Sequence, residues 1–445
     1  MRTTVVGLGK SGEAAARLLI GMGESVLIVD DQKKEIPSSL LALSGEALSR
    51  LHYRLGEWTP NDLFSSDRVV LSPGVFPSRL PLKSLAERGV PVVSEVELAA
   101  SYLSAPIIAV TGTNGKSSTT TWVGEILKQA GHSVFVGGNL GVPLSEAVGD
   151  SWEFVVAEVS SFQLETIVNF HPRFAALLNI TPDHMDRYPT FEAYQQAKWR
   201  IFKNQSGQDA AVIPLPSDDP MSSPPSLAAR PIHFSWRSRP ERGVFVEGEK
   251  MVHNIHGCVE EVVPIREIPL LGRHNLENLM AATALCSLCG LPADLIGRAI
   301  RGLTGLPHRM ELVREVRGVR YINDSKGTNV GAVLKSLEGM NDPVVLIAGG
   351  RGKGSDFSLM KERVCKKVKR LILMGETRGA MSDCFSDHPD QISVETMEEA
   401  VSVAAASARA GDVVLLSPAA ASFDMFKDFQ DRGERFREAV ARLSQ

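Results

Sequence analysis

Short apolar segments that end in glycine-rich turns recur along this chain, with helical stretches between them. Near the N-terminus, residues 3–9 and 24–31 flank the helical stretch 13–23, and another apolar segment follows at residues 68–74. Strand signals that alternate with helix signals are typical of βαβ units, in which helices connect parallel strands and cover the sheet. The sequence therefore predicts an α/β fold built on parallel sheets.

The same pattern starts again further along the chain. A second unit opens with a buried-type strand at residues 106–110 and a helix over 118–130, and more apolar segments follow at 154–159 and 174–180. A chain of 445 residues is also too long for one compact core. More than one domain is therefore expected.

A third unit is expected to begin near residue 305. Its strands are predicted at residues 319–324, 344–350, 370–375 and 412–418. Helices are expected between these strands and at the C-terminus. The three units together predict domains over residues 1–94, 95–304 and 305–445.

Residues 204–243 differ from the segments on either side. They are rich in Pro, Ser and Asp, as in the stretch PLPSDDPMSSPPS. This composition predicts an irregular surface segment within the second unit.

Charge and hydropathy argue against two classes of partner. The net charge of -4 and the isoelectric point near 6.2 give no basic surface for nucleic acid. No apolar run approaches the roughly 18 residues that a membrane span needs, and the N-terminus begins a strand instead of a signal segment. We expect a soluble cytoplasmic protein that acts on small molecules, without nucleic-acid or membrane partners, as a monomer.

The five cysteines give no metal or disulfide pattern. Cys286 and Cys289 form a CxxC, but they lie in an Ala/Leu-rich helical run, and no second CxxC or CxxH completes a zinc site. Packing in the core is therefore expected for this pair. Such cysteine usage fits a reducing compartment.

The strongest local signal is a glycine-rich loop at residues 111–118, with the sequence TGTNGKSS. It follows a buried-type strand and precedes a helix, which is the context of a phosphate-binding loop. Lys116 can neutralise phosphate oxygens, and the Ser117 hydroxyl can ligate Mg²⁺. Val110 replaces the first glycine of the usual motif, so the alternative is a glycine turn with an unrelated lysine.

Two further strand ends carry polar groups. Glu158 ends an otherwise apolar strand, where a carboxylate is costly to bury unless it is paired or bound to metal. Asp183 and His184 follow the apolar segment 174–180 in the stretch DHMD. Ligands bind at the carboxyl edge of open parallel sheets, so these groups and the phosphate loop are predicted to form one site.

Lys198 shares a helical face with Phe191, Tyr194 and Ile201, because residues at these spacings lie on the same side of a helix. One interpretation is a lysine that reaches from this apolar stripe to solvent. The other is a buried amine with a lowered pKa, able to react or to carry a carbamate. The sequence leaves both open.

The first glycine loop, GLGKSG at residues 7–12, follows the first strand, and Asp30 ends the second. This spacing matches a dinucleotide fingerprint, with the acid placed for a ribose hydroxyl. Nucleotide binding is favoured over a structural glycine turn, but the loop does not reveal the nucleotide. Alone, it would also fit an NAD-dependent oxidoreductase.

Taken together, these motifs resemble the Mur ligase family over nearly the whole chain. The segments that carry the resemblance are GLGKSG (7–12), LSPG (71–74), VTGTNGKSS (110–118), GGNLG (137–141), EVSSFQLE (158–165), NITPDHMDRY (179–188), Lys198, GRHNLENLMAA (272–282), GLPHRME (305–311), NDSKGTN (323–329), AGGRGKGSDF (348–357) and LLSPAAASFDMFKDFQDRG (415–433).

The resemblance implies a Rossmann-like N-terminal domain that binds a UDP-linked substrate, a central P-loop ATPase-type domain and a Rossmann-like C-terminal domain that binds the amino acid. It implies an ATP- and magnesium-dependent ligase that joins D-glutamate to UDP-N-acetylmuramoyl-L-alanine through an acyl phosphate. Such an enzyme serves peptidoglycan synthesis, and so cell shape and division. A sister ligase for another amino acid and an inactive binding protein are the alternatives.

The resemblance also implies roles for individual residues. The catalytic group comprises Lys116, Glu158, His184 and Lys198. ATP would be bound by Gly112, Thr113, Asn114, Gly115, Lys116, Ser117, Ser118, Asn278, Arg309 and Asp324. The UDP substrate would be bound by Ser11, Asp30, Asp31, Ser72 and Asn139. D-Glutamate would be bound by Thr328, Lys353, Ser422, Phe423 and Phe429. Magnesium would be held by Ser117, Glu158, His184 and a carbamate on Lys198.

Two positions depart from the family pattern. Gly352 stands where an acidic residue is usual, so contacts from that loop are expected to come from Lys353 instead. Ala420 stands where a cysteine is usual. No thiol role is therefore expected at position 420.

Overall fold

The computed structural model describes residues 1–270, 272–352 and 354–444. Within these residues the chain forms three sheets, of five, nine and six strands. Each sheet is wholly or mainly parallel and carries helices. The predicted α/β fold on parallel sheets is confirmed.

The N-terminal sheet has the strand order β3-β2-β1-β4-β5 and is parallel throughout. Its strands are β1 (Arg2–Val6), β2 (Ser25–Asp30), β3 (Leu51–Leu55), β4 (Arg68–Leu71) and β5 (Val92–Ser94). Its helices are α1 (Lys10–Gly21), α2 (Ser38–Leu41), α3 (Gly45–Ser49), α4 (Pro60–Phe64), α5 (Leu82–Glu87) and α6 (Glu95–Ala100). The order changes direction at β1, so the turns after β1 and β4 form a crevice for a ligand.

The central sheet has the order β14-β13-β12-β11-β10-β9-β6-β8-β7. Its strands are β6 (Ile107–Thr111), β7 (Val134–Gly138), β8 (Phe154–Glu158), β9 (Phe174–Leu177), β10 (Ala210–Pro214), β11 (Arg230–Ser235), β12 (Gly243–Glu247), β13 (Lys250–His253) and β14 (Glu260–Pro264). Its helices are α7 (Lys116–Gln129), α8 (Ser161–Leu164), α9 (Phe191–Trp199), α10 (Arg273–Leu288) and α11 (Ala293–Arg301).

The prediction of an irregular segment over residues 204–243 was wrong. Two strands, β10 and β11, cross it and extend the central sheet from β9. The apolar run of β10 is buried along its whole length, so it gains more from pairing inside the sheet than from a surface position. The residues rich in Pro, Ser and Asp are confined mainly to the connection between these two strands.

The C-terminal sheet has the order β15-β16-β20-β17-β18-β19, with β15 antiparallel to β16. Its strands are β15 (Glu311–Val316), β16 (Val319–Asn323), β17 (Val344–Gly349), β18 (Val368–Met374), β19 (Gln391–Ser393) and β20 (Val413–Leu416). Its helices are α12 (Val330–Glu338), α13 (Lys361–Lys367), α14 (Arg378–Cys384), α15 (Met397–Ser407) and α16 (Phe429–Ala441).

The core of the central unit lies on both faces of its sheet. One face packs against α7 and α10 through residues such as Ile108 and Trp122, and the other packs against α9. Cys286 is fully buried in this core, and Cys289 packs against it. The expected packing role of this pair is confirmed.

The topology decides where polar groups can meet. Because β6 lies between β8 and β9, the segments that follow these three parallel strands leave the sheet side by side at one edge. They carry the phosphate loop, Glu158 and the segment with Asp183 and His184. Among the described residues, none of the helices combines the length and the apolar composition of a membrane span.

The central sheet provides a test of the fold. Ile108, in β6, is fully buried, so Ile108→Ala should lower the free energy of unfolding by about 2–5 kcal/mol. The midpoint of the thermal transition of the central unit should fall accordingly. Leu41→Ala is the control, because Leu41 is 51% exposed and its loss should change stability by roughly 0.5 kcal/mol or less. Calorimetry on both variants makes the comparison, and equal midpoints would contradict the central position of β6.

Candidate active site

The phosphate loop connects β6 to α7, and two glycines determine its path. Gly112 and Gly115 have φ values of +152° and +87°, in the region that favours glycine. A Cβ at Gly115 would lie 2.1 Å from Asn278 Oδ1, so α10 packs directly on the loop. The loop therefore needs glycine at position 115, because α10 leaves no room for a side chain there.

The helix begins at Lys116, two residues earlier than predicted, which places Lys116 and Ser117 in its first turn. The Lys116 ammonium donates to the carbonyl oxygens of Gly112 and Thr113, at 2.8 Å each. Burial lowers the pKa of Lys116, although the negative charges of Glu158 and Asp183 oppose this shift. The amine is thus held over the loop at the N-terminus of α7, where anions are stabilised.

Glu158 is 2% exposed at the end of β8. Its Oε1 accepts a hydrogen bond of 2.6 Å from Asn139 Nδ2. Its Oε2 is buried and has no hydrogen-bond partner among the described residues. A buried carboxylate oxygen without a partner is costly, which is what a cation would relieve.

Lys198 is 1% exposed, so the interpretation that it reaches solvent was wrong. Its Nζ donates to the Gly112 carbonyl at 2.8 Å and lies 4.6 Å from the centroid of the Tyr194 ring. Burial lowers the pKa of Lys198 well below its ordinary value, and the nearby Lys116 adds to this effect. The apolar stripe of α9 thus faces inward, and the Lys198 amine points toward the phosphate loop.

One cavity of about 280 Å³ unites these groups. All four residues expected to be catalytic line it, together with residues from the loop, the strand ends and the C-terminal unit. They include Thr113, Asn114, Gly115, Lys116, Ser117, Asn139, Glu158, Asp183, His184, Tyr194, Lys198, Arg309, Lys326, Thr328 and Asn329. We refer to it below as the catalytic cavity.

The C-terminal unit contacts the phosphate loop directly. Arg309 donates to Ser117 Oγ at 2.8 Å. Asn329, at the N-cap of α12, donates to Asp183 Oδ2 at 2.9 Å and to Asn114 Oδ1 at 3.2 Å. These contacts place the start of α12 against the loop.

A second cavity adjoins the loop on the side of α10. It is lined by Asn114, Gly115, Ser118, Asn278, Arg309 and Asp324, which are six of the residues expected to bind ATP. Asp324 Oδ2 accepts from Ser336 Oγ at 2.8 Å and from Ser417 Oγ at 2.7 Å. Burial raises the pKa of Asp324 to about 6 in spite of these hydrogen bonds.

A third cavity, of about 430 Å³, lies at the crevice of the N-terminal sheet. The residues expected to bind the UDP substrate all line it: Ser11, Asp30, Asp31, Ser72 and Asn139. Asn139 also lines the catalytic cavity, so the two cavities meet at its side chain. We refer to the third cavity as the crevice.

Asp30 is engaged with the backbone. Its carboxylate accepts from the N–H groups of Leu8, Gln32 and Lys33 at 2.6–2.8 Å. Burial raises the pKa of Asp30, but these donors outweigh it and leave the pKa lowered. A charged Asp30 therefore connects the first glycine loop to the turn after β2.

The residues expected to bind D-glutamate are only partly brought together. Thr328 lines the catalytic cavity, whereas Ser422, Phe423 and Phe429 are not among its described lining residues. Ser422 is 2% exposed and the Phe423 side chain is 61% exposed. The Phe429 ring lies 3.9 Å from the Lys326 ammonium, which does line the cavity. Lys353 lies outside the described residues.

Sequence reasoning gave no role to Asn329. It assigned Asn139 to the UDP site alone, although this side chain also donates to Glu158 in the catalytic cavity. Asp183 was recognised as part of DHMD but received no role of its own, although its carboxylate accepts a hydrogen bond from the Asn329 amide. Only proximity to assigned motifs pointed to these residues. Contacts between units separated by more than a hundred positions leave no local signal in the sequence.

The donor set suits magnesium better than a soft metal. The described residues contain no cluster of three His, Cys, Asp or Glu side chains that would hold a metal alone. Mg²⁺ commonly takes only one or two protein carboxylates and completes its shell with phosphate oxygens and water. The unpartnered Glu158 Oε2, in the same cavity as Ser117 Oγ, fits that pattern.

Three family models match successive parts of the chain. They are the MurD-like N-terminal domain of Mur ligases over residues 1–94, the Mur ligase middle domain over 110–286, and the Mur ligase glutamate ligase domain over 308–420. The chain belongs to the Mur ligase family. The resemblance noted from its motifs is thereby confirmed.

Relatives of similar length support the assignment. A protein of Trichlorobacter lovleyi named UDP-N-acetylmuramoylalanine–D-glutamate ligase is 44% identical, with 99% of each chain covered. A protein of the same name from Pelotomaculum thermopropionicum is 42% identical, covering 99% of this chain and 98% of that one.

Solved structures share the fold. A pseudomurein peptide ligase type C from Methanothermus fervidus has a TM-score of 0.62 at 17% identity, with both chains fully covered. MurF ligase from Thermotoga maritima in complex with ADP has a TM-score of 0.60 at 19% identity, covering 94% of this chain and 95% of that one.

The packing of α10 on the phosphate loop yields a prediction. Gly115→Ala should raise the dissociation constant for ATP at least about tenfold, because the new methyl group would displace Asn278 from the loop. Gly131→Ala is the matched control, since Gly131 follows the same helix with a φ of +93° but has no atom within 4 Å of its Cβ position. Calorimetric titration with ATP measures both, and equal affinities would show that the contact with Asn278 is irrelevant to the nucleotide.

Proposed function

We propose that this Mur ligase joins D-glutamate to UDP-N-acetylmuramoyl-L-alanine, with conversion of ATP to ADP and phosphate. The observation that carries the proposal is the meeting of the crevice and the catalytic cavity at Asn139. A substrate with its nucleotide in the crevice could extend its acyl end past Asn139 toward the phosphate loop. The names of the relatives at 42–44% identity support the same substrates.

The reaction needs an activated carboxylate, because a free carboxylate is a poor electrophile and its oxygen a poor leaving group. In the first step, an oxygen of the alanyl carboxylate attacks the γ-phosphorus of ATP, giving an acyl phosphate and ADP. The amine of D-glutamate then attacks the acyl carbon and loses a proton. Collapse of the tetrahedral intermediate expels phosphate and leaves the amide.

Phosphoryl transfer depends mainly on positioning and charge neutralisation. Lys116, released from the Gly112 and Thr113 carbonyls, would bind the β- and γ-phosphates, and the loop N–H groups would receive their oxygens. Arg309 lies against Ser117 and would add positive charge on the side of the C-terminal unit. Asn278 and the hydrogen-bonded Asp324 would hold the rest of the nucleotide in the cavity beside α10.

Magnesium would be held by Ser117 and Glu158 beside ATP, and a second ion by Glu158, His184 and a carbamate on Lys198. Bound there, it would neutralise charge on the phosphate oxygens and the substrate carboxylate. The orphaned Glu158 Oε2 supports this assignment.

Carbamate formation on Lys198 requires a neutral amine that attacks the carbon of CO₂ and then loses a proton. The burial that lowers the pKa of Lys198 favours that neutral form. The product would replace a positive charge with a negative oxygen ligand, which is what a magnesium site needs.

The amino acid would enter from the C-terminal unit. Thr328, Ser422 and the backbone at Phe423 are proposed to hold the carboxylates of D-glutamate, together with Lys353, and Phe429 would lie close by. The proposed location is the cytoplasm, because ATP and UDP-linked precursors are cytoplasmic metabolites, and the proposed state is a monomer. The substrates are small molecules, and no nucleic acid or membrane takes part.

The direct test is phosphate release from ATP with UDP-N-acetylmuramoyl-L-alanine and a panel of amino acids. D-Glutamate should support turnover at least about a hundredfold faster than L-glutamate, L-alanine or a diamino acid, because charge-assisted contacts that fit one configuration are lost in the other. Faster turnover with another amino acid would identify a sister ligase instead.

Lys116→Ala should abolish ligation while leaving the affinity for the UDP substrate within about threefold of the wild type, because the nucleotide of that substrate is proposed to bind in the crevice, which Lys116 does not line. Titration with UDP substrate and the phosphate-release assay measure the two effects separately. Near-normal turnover in this variant would remove the phosphate-loop assignment.

Lys198→Ala should be nearly inactive, and a short carboxylic acid in the buffer should restore part of the turnover by supplying the missing oxygen ligand. Lys203→Ala is the control, since Lys203 is exposed one turn beyond α9 and should retain full activity. The same acid should not affect the control. An active Lys198→Ala variant would refute the carbamate.

A further inference from the structure

Arg187 follows His184 by three positions, in a turn closed by a 2.9 Å hydrogen bond from Arg187 N–H to the His184 carbonyl. Its side chain leaves this turn toward the N-terminal unit and is only 6% exposed. Neither the phosphate loop nor the roles proposed above use this buried charge.

The guanidinium contacts two aromatic rings that belong to different units. Its carbon is 3.8 Å from the centroid of Phe162, in α8 of the central unit, and 5.0 Å from that of Phe76, which follows β4 in the N-terminal unit. A planar guanidinium can stack on aromatic rings, which an ammonium cannot do equally well.

Hydrogen bonds connect the same two units. One terminal nitrogen of Arg187 donates to the Pro73 carbonyl at 3.2 Å, and the other donates to Glu165 Oε2 at 3.0 Å. Its Nε is buried without a hydrogen-bond partner among the described residues. The side chain thus connects the two units, although its Nε–H is left without an acceptor among the described residues.

Both ends of this bridge reach cavity walls. Pro73 lines the crevice, next to Ser72. Phe162 lines the catalytic cavity and packs edge-on against the His184 ring, with centroids 4.8 Å apart. A continuous series of contacts therefore leads from the wall of the crevice through Arg187 to His184.

We propose that Arg187 is a positioning residue that fixes the position of the crevice relative to the catalytic cavity. This inference rests on the proposed function, in which one substrate spans both cavities. If this relative position changes, the substrate still binds by its nucleotide, but its carboxylate no longer lies in line with the phosphate to be transferred. Displacements of about 1 Å can cost two orders of magnitude in rate.

The test compares Arg187→Met and Arg187→Lys with wild type. Arg187→Met should lower kcat roughly 10- to 100-fold, while the KM values for ATP and for the UDP substrate stay within about threefold. Arg187→Lys should recover little of this loss, because lysine keeps the charge but cannot contact both rings while donating to both oxygens.

Arg17→Met is the matched control. Arg17 also connects the N-terminal and central units, through an ion pair with Glu146, but it lines neither the crevice nor the catalytic cavity in the described residues. Its kcat should stay within about twofold of wild type, since a partly exposed ion pair contributes little. Equal losses of kcat in the Arg187→Met and Arg17→Met variants would show that any contact between the two units has this effect. That result would overturn the positioning role.

A second variant keeps the test valid if Arg187→Met fails to fold. Phe76→Ala removes one face of the stack without altering Arg187, and it should lower kcat about 3- to 10-fold with unchanged KM values. In the double variant the two effects should not add, because both act through one contact.

Additive effects in the double variant, or an Arg187→Met kcat within threefold of wild type, would overturn the proposal. So would a Phe76→Ala variant with wild-type kcat. An inactive wild-type enzyme in this assay would instead refute the proposed function, so the two failures are distinguishable.

Discussion

The structure depends on the contacts that other elements of the chain make with the phosphate loop. Gly115 approaches Asn278 so closely that any side chain would separate them, and Arg309 and Asn329 bring the C-terminal unit onto the same loop. From the opposite side, Lys198 donates to the Gly112 carbonyl. The loop is therefore the centre around which the other groups are arranged, and phosphoryl transfer depends on such positioning.

Buried charge is the second feature of this centre. Lys116, Lys198 and Arg309 all have a pKa lowered by burial, and Glu158 keeps one oxygen without a hydrogen-bond partner in the described chain. Such an arrangement stabilises a folded protein poorly, because charges out of water are costly. It suits the polyanionic nucleotide and the magnesium ions proposed above, which would offset these charges when they bind.

The sequence was informative where a local pattern has a single structural meaning. Alternating strand and helix signals predicted the parallel sheets, and the polar residues at strand ends predicted which side chains share a cavity. Prediction failed where tertiary pairing decides: β10 and β11 lie in a stretch whose loop composition hides two strands, and Lys198 turned inward where periodicity allowed either direction. Contacts between units, such as those of Asn329 and Arg187, have no local signature.

Transfer of oxygen between the substrates tests the account most directly. Both carboxylate oxygens of UDP-N-acetylmuramoyl-L-alanine would be labelled with the heavy isotope of oxygen, and the phosphate released on ligation with D-glutamate would be analysed by mass spectrometry. If the carboxylate attacks ATP at the phosphate loop, each released phosphate should carry one labelled oxygen and the amide should retain the other. Phosphate without label, formed while the amide accumulates, would contradict an acyl phosphate and with it the role assigned to the catalytic cavity.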